Sequence, residues 1–299
     1  MTTISARIIA DSISKKGKRI TTFVLTFPRM VLAEFNTHRA LSRNSASSRA
    51  IPFKKMVELV ENDPFIPIKW MKDHKGMQGT DYLDDLLLGD IWLEARDEAV
   101  KKAKALSERD VTKQLCNRLL EPYMWHTVIC TGTDWENFFA LRAHPDAEIH
   151  IQELAHKMLD VYNQSKSKLL KAGEWHIPFG DNFEPERLFE YAFTFCAANK
   201  GWKETPTSDE MIDYITRVLF KKIATARCAR VSYLNFEGKD DYEADIKLHD
   251  QLLKSGHMSP FEHCAMNMEN EESYGNFVGW MQYRKQFKNE NKTDERVIK

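Results

Sequence analysis

The chain has 299 residues, 42% of them hydrophobic and 29% charged, an ordinary globular balance with enough length to bury a full core in one large or two small domains. Lys and Arg number 43 against 44 Asp and Glu, a formal net charge of −1, so bulk charge gives no case for nucleic-acid or membrane binding and any anion recognition has to be local. No run of eighteen apolar residues occurs, and five scattered cysteines without a C-x-x-C pair read as reduced thiols in a cytoplasm, a host cytoplasm if the source is viral, and not as a disulfide frame or zinc knuckle.

In chain order, the N-terminus carries only the short apolar run Ile8-Ile9-Ala10 and no signal-peptide architecture. Residues 4–10 and 19–27 flank the turn Lys15-Lys16-Gly17-Lys18 and predict a β-hairpin. Leu88, Trp92, Ala95, Ala99, Ala103 and Leu106 recur at helical spacing over 86–106, and Ile151, Leu154, Ala155, Met158, Leu159 and Tyr162 do so over 147–162. Thr207-Ser208-Asp209-Glu210 is a capping box opening a helix that buries Met211, Ile215, Val218 and Leu219. A further helix over about 241–254 stops at Gly256. A few strands and several long helices that do not alternate favour α+β. With no G-x-G-x-x-G after a strand and no G-x-x-x-x-G-K, a bound dinucleotide would not be held in the Rossmann manner.

The most unusual stretch runs from Thr37 to Arg49, THRALSRNSASSR, with three arginines, four serines, a histidine and an asparagine in thirteen positions. Guanidinium groups bind phosphate bidentately, and hydroxyl and backbone N–H groups complete such a cradle. At about 1.5–3 kcal/mol per charge-assisted bond, two arginines and two hydroxyls suffice to hold a nucleotide monophosphate. A solvated Ser/Arg loop has the same composition, but Phe35, Ala40, Leu41, Ala46 and Ile51 thread apolar residues through it, as expected of a segment folded against a core.

Three further pieces carry chemistry. Residues 255–263, SGHMSPFEH, hold His257, Glu262 and His263; a helix C-cap followed by a turn explains them as well as an acid–base role does, and a spacing of six with no third ligand is not zinc geometry. The spacing of His144, His150 and His156 is read the same way, and no metal site is expected. Asn117-Arg118-Leu119-Leu120-Glu121-Pro122 and Trp135-Glu136-Asn137-Phe138-Phe139-Ala140-Leu141-Arg142 each set one arginine in an apolar run, where it needs a salt bridge, a phosphate or a base as partner.

Together these pieces resemble the flavin-dependent thymidylate synthase family. THRALSRNSASSR is similar to the family's R-H-R-x-x-S followed by a second serine and an arginine; Arg118 falls before a Leu-Pro-like step; Arg142 with Asp146-Ala147-Glu148-Ile149-His150 resembles the arginine before A-Q-x-E-I-R. GHMSPFEH is close to G-H-x-S-x-x-E-H, and Ala229-Arg230-Val231-Ser232-Tyr233 to A-x-V-S-Y. In ordinary members the last two blocks come first, so the order resembles a circularly permuted, phage-type variant, tolerated because termini tend to lie close together at the surface.

The resemblance implies one α+β catalytic domain over 1–299 with a mostly antiparallel sheet and several long helices. Residues 20–160 carry the nucleotide and flavin blocks, 161–223 a helical connection, 224–268 the permuted block and 269–299 a C-terminal helix or tail. It implies an enzyme making thymidylate from deoxyuridylate with FAD, NADPH and 5,10-methylenetetrahydrofolate, in a homotetramer with shared active sites and no membrane or nucleic-acid partner. Carried over by position, Glu34, Ser45, Ser47, Arg49, Arg118 and Arg142 hold the nucleotide; Thr37, His38, Arg39, Asn137, His257, Ser259 and Glu262 contact the flavin; and Arg142 and His257 are the catalytic candidates. Ser47 is read as a hydrogen-bonding group and not a nucleophile, having no evident base partner.

Thr37 replaces the first arginine of R-H-R, Glu34 stands where glutamine is common and Ser45 where glutamine or glutamate is, and Asp146 and Glu148 depart from a common histidine and glutamine. A carboxylate accepts from the amino group of cytosine whereas glutamine can also donate to uracil. Deoxycytidylate as substrate, or a hydroxymethyl product, is therefore the close alternative. A single-stranded nucleic-acid-binding module and a metal hydrolase built on His257, Glu262 and His263 are the readings from other classes. Residues 276–285 are expected to be a helix that closes the site or merely packs.

Overall fold

The computed structural model describes residues 1–76, 79–198, 207–233 and 241–291. Strands Ser5–Ser14 and Arg19–Pro28 form the expected hairpin, longer than the apolar pattern alone suggests. Its turn holds Gly17 at φ 78°, a left-handed conformation that costs glycine no Cβ clash. The hairpin is the centre of a five-stranded sheet in the order Ser42–Ser45, Trp125–Gly132, Arg19–Pro28, Ser5–Ser14 and Lys168–Leu170. All pairings are antiparallel except the last.

Alternation along the central strands sends side chains to two faces. Phe23, Leu25 and Phe27, with Val128 and Cys130, pack on helices Glu136–Arg142 and Ile149–Gln164 through Phe138, Ile151, Leu154 and Met158. Each fully buried side chain of this size contributes about 1.5–3 kcal/mol. Val24 and Ile129 face the other way, toward Ile223, Cys228, Ile246 and Phe261. That second layer is built from α-helix Ser208–Tyr214, a π-helical stretch Ile215–Leu219, α-helix Phe220–Arg230 and α-helix Tyr242–Ser255. The Thr207 capping box forms with Glu210, and Tyr242–Ser255 ends on Gly256 at φ 73°. A third cluster joins helices Phe53–Asn62 and Leu87–Ser107 to the 3-10 segment Asn117–Tyr123 through Ile51, Met56, Val100 and Leu120. On Leu87–Ser107 the buried line is Val100 and Ala103, while Ala95 of the expected stripe faces solvent.

The architecture is α+β with mostly antiparallel sheets. Two expectations are corrected. Residues 276–285 are not a helix: Phe277–Val278 pairs with Ser273–Tyr274, Trp280–Gln282 pairs with Ala265–Asn267, and a 3-10 turn spans Tyr283–Gln286. Apolar Phe277, Trp280 and Tyr283 are spaced closely enough to mimic a helical stripe, but the intervening Gly279 sits at φ 76° and interrupts it. The connection 161–223 is also not wholly helical, since Lys168–Leu170 joins the main sheet and Trp175–His176 joins the three-stranded sheet of Ala265–Asn267 and Trp280–Gln282. Among the described residues no helix is long and apolar enough to cross a membrane.

Candidate active site

The middle of the Ser/Arg stretch is a short strand, flanked by turns, where composition alone allowed a loop. Ser42–Ser45 pairs with Thr131–Val128 at the sheet edge, burying Leu41, Ser42, Asn44, Ala46 and Ser48. At Gly132 a Cβ would lie 2.6 Å from the end of the Leu41 side chain, so a larger residue there would have to displace that side chain. The other blocks dock along this segment. Asn117 Nδ2 donates to the carbonyls of Ser48 (2.6 Å) and Ile51 (3.1 Å), setting its neighbour Arg118 beside the Ser47–Arg49 turn. Ser48 Oγ donates to Glu121, which also pairs with Arg29 at 3.3 Å. Burial and the charge of Arg118 hold the Arg29 pKa below the ordinary arginine range. Ser47 N donates to Ser232 O across 3.2 Å, tying in the V-S-Y block.

At the other end of the strand Arg142 closes helix Glu136–Arg142. Its Nε donates to His38 Nε2 at 2.9 Å and its Nη2 to Thr37 Oγ1 at 3.1 Å. Thr37 Oγ1 donates in turn to the Glu34 carbonyl, capping the short helix Leu32–Asn36. Burial first, then the charges of Arg142 and Arg43, push the His38 pKa down, so the imidazole is neutral and accepts through Nε2. Glu34 Oε2 lies beside this group, buried and without a hydrogen-bond partner.

The SGHMSPFEH stretch forms a 3-10 turn, Ser259–Glu262, packed on the edge strand. Glu262 accepts from Ser42 Oγ at 2.7 Å and pairs with Arg284. Asn276 and Gln282 also donate to Ser42 Oγ, at 3.0 and 3.1 Å. His263 is fully buried and belongs to a polar row crossing four strands. Oriented to satisfy its neighbours, Asn44 donates its amide to His263 Nε2, the Ser259 carbonyl and the Arg43 carbonyl. His263 Nδ1 meets Thr131 Oγ1 at 2.8 Å, Thr131 meets Thr22 at 2.7 Å, Thr22 meets His176 Nε2 at 2.8 Å, and His176 Nδ1 meets Ser12 Oγ at 2.9 Å. All six are buried, and one donor direction satisfies the whole row. Burial pushes both histidines down to about 3.

Residues 19–165 match the family model described as thymidylate synthase complementing protein, which spans the sheet, the Ser/Arg strand, Arg118 and Arg142. Residues 19–165 belong to that family. It is the family of flavin-dependent thymidylate synthases, a family of enzymes. No curated protein matches the chain. The donor set fits a flavin nucleotide and an anionic substrate: among the described residues Arg39, Arg49 and Arg118 have exposed guanidinium groups with no ion pair, and the orphaned Glu34 oxygen awaits a donor. Such a set binds phosphate at its cations and a polar ring at its acceptor.

The structure brings Ser45, Ser47, Arg49 and Arg118 to one end of the edge strand and Glu34, Thr37, His38 and Arg142 to the other. Arg39, Asn137 and His257 are exposed, and Ser259 is half-buried. Glu262 is committed to Ser42 and Arg284, and His263 to the interior row, so with His257 on the surface these three do not converge as metal ligands. Glu148 is the N-cap of Ile149–Gln164, accepting from His150 N and Ile151 N, which assigns that block a structural role. His150 is satisfied between Glu148 and Ile68 N. Sequence reasoning missed Ser42, Asn276, Gln282 and Arg284. Only the polar residues recurring through the apolar stretch 276–284 could have flagged the last three.

Proposed function

We propose that this chain transfers a one-carbon unit from methylenetetrahydrofolate to carbon 5 of a pyrimidine deoxynucleotide, deoxyuridylate in the first instance, with FAD as the hydride carrier and NADPH as the reductant. The observation that carries this reading is the docking of the candidate blocks along one segment, Thr37–Ile51, which lies inside the family-matched region. Arg49, Arg118, Ser45 and Ser47 hold the phosphate end of the nucleotide. Arg142, oriented by His38 and Thr37, donates its remaining N–H groups to a ring oxygen and polarises the pyrimidine toward bond formation at carbon 5. The edge strand fixes both ends at once, so positioning and electrostatics supply the catalysis. Arg39, Asn137, His257 and Ser259 hold the FAD, with Glu262 as support through Ser42. When bound, FAD supplies the hydride that reduces the transferred carbon.

The order of blocks, with Ser232 bonded to Ser47, Glu262 to Ser42 and His263 to Asn44, supports a circularly permuted member forming one catalytic domain, and the exposed cations support sites completed in a homotetramer. The orphaned Glu34 oxygen favours a second reading, deoxycytidylate, whose exocyclic amino group is the donor a lone carboxylate accepts. Loading tests the shared part of both readings. Well-folded protein titrated with FAD is expected to bind it saturably and to retain it through gel filtration, and a failure to bind ends the proposal.

A further inference from the structure

A cavity of about 1020 Å3 lies away from the edge strand, between Ser5–Ser14, Lys168–Leu170 and the helical run Ser208–Arg230. It shares none of the nucleotide- or flavin-binding candidates, and meets the buried polar row only at its far end, Ser12. Lys221 lines it while being only 9% exposed. The ammonium sits 4.2 Å from the ring centroid of Trp175 and 5.1 Å from that of Tyr283. Among the described residues no oxygen accepts a hydrogen bond from it, so its donors lie against the two aromatic faces and open into the cavity. An ammonium with no acceptor among the described residues that opens into a largely apolar cavity is a ready partner for an anion there.

The rest of the lining says which anion. Ile9, Ile177, Phe220 and Met266 make much of the wall apolar. Around them the cation Lys168 and the carboxylates Glu174, Asp181 and Asp209 have no ion-pair partner among the described residues, whereas Asp213 is paired with Arg217 and Asp11 with Arg19. These unneutralised carboxylates repel a ligand carrying two or more negative charges and tolerate one. We propose that the cavity binds a small monocarboxylate with an apolar body, its carboxylate on Lys221 and its body against Trp175 and Phe220. Burial already holds the Lys221 pKa below the ordinary lysine range; an anion seated on it reverses that shift, so binding at alkaline pH takes up a proton.

Calorimetric titration of the full chain with 4-phenylbutyrate tests this. The expected result is saturable binding, with heats at alkaline pH that depend on the ionisation heat of the buffer, and at least tenfold weaker binding of phenyl phosphate. Lys221→Met, which keeps the packed stem without the charge, should weaken phenylbutyrate binding at least tenfold, and Lys221→Arg should retain it. No saturable binding, equal binding by folded Lys221→Met, or phenyl phosphate binding as tightly as phenylbutyrate would each overturn the proposal. The ligand comparison uses the unaltered chain, so it decides even if a variant fails to fold.

Discussion

The Nε–H of Arg142 donates to Nε2 of His38 across 2.9 Å, and that bond requires a neutral imidazole. His38 is kept neutral by burial and by the two cations beside it, Arg142 and Arg43. The pair therefore orients the guanidinium without drawing off its charge, as a carboxylate partner would. His38→Phe keeps the edge contact with Phe138 but removes the acceptor. It should lower kcat/KM by about 10–100-fold, equal to about 1.4–2.7 kcal/mol of transition-state stabilisation. Arg142→Lys should lower it at least as far, because an ammonium lacks the planar fork. Steady-state kinetics check both, and unchanged kcat/KM in His38→Phe would contradict the orienting role.

Asn117, next to Arg118 in the chain, pins the turn that carries Arg49 through the Ser48 and Ile51 carbonyls. Each lost charge-assisted contact is worth about 1.5–3 kcal/mol. Arg49→Ala should therefore weaken nucleotide binding by one to two orders of magnitude. Its side chain is exposed, so the urea midpoint should barely move. Equilibrium dialysis with labelled deoxyuridylate and deoxycytidylate measures the loss, and undiminished binding would remove Arg49 from the site.

Glu34 presents a buried oxygen with no hydrogen-bond partner among the described residues. Glu34→Gln supplies an amide donor at the same place, and the expected outcome is a shift of nucleotide preference toward deoxyuridylate and away from deoxycytidylate. The readout is the ratio of the two kcat/KM values for wild type and variant. An unchanged ratio would mean that Glu34 does not face the base.

His126, His176 and His263 are each held neutral with pKa values of about 3, against 6.5 for an unperturbed histidine. A base whose pKa is depressed by folding costs nothing above its unfolded pKa. As pH falls below 6.5, the unfolded chain takes up protons that the folded chain refuses, and stability is lost down to about pH 3. Each such histidine costs about 1.4 kcal/mol per pH unit. Three together cost about 6 kcal/mol by pH 5, comparable with the whole stability of an ordinary domain. Urea unfolding across pH 5–7 should show stability falling steeply with acid, and His176→Gln should reduce the slope by about one proton. A flat profile would contradict the neutral buried row.

The elements legible in the sequence were those whose determinants are local. The hairpin turn at Gly17, the Thr207 capping box, the Gly256 stop and the stripe of Ile149–Gln164 all carry their signal within a few residues. The 276–285 segment was misread because Phe277, Trp280 and Tyr283 are buried by strands distant in sequence, so their spacing reflects tertiary packing and not a helix. Composition flagged the Ser/Arg stretch, but its strand geometry depends on the partner Trp125–Gly132, some eighty residues away. Motif resemblance marked Glu262 and His263 without revealing what they touch. One is bound to Ser42 and Arg284, and the other is buried in the Thr131 row.

The central claim is one-carbon transfer to a pyrimidine nucleotide by a flavin enzyme. The most direct measurement is anaerobic incubation of FAD-loaded, reduced protein with methylenetetrahydrofolate and either deoxyuridylate or deoxycytidylate, followed by mass analysis of the nucleotide. The account predicts a product bearing a new methyl or hydroxymethyl group on carbon 5 of one of the two. Recovery of both nucleotides unaltered from folded, flavin-loaded protein would contradict it.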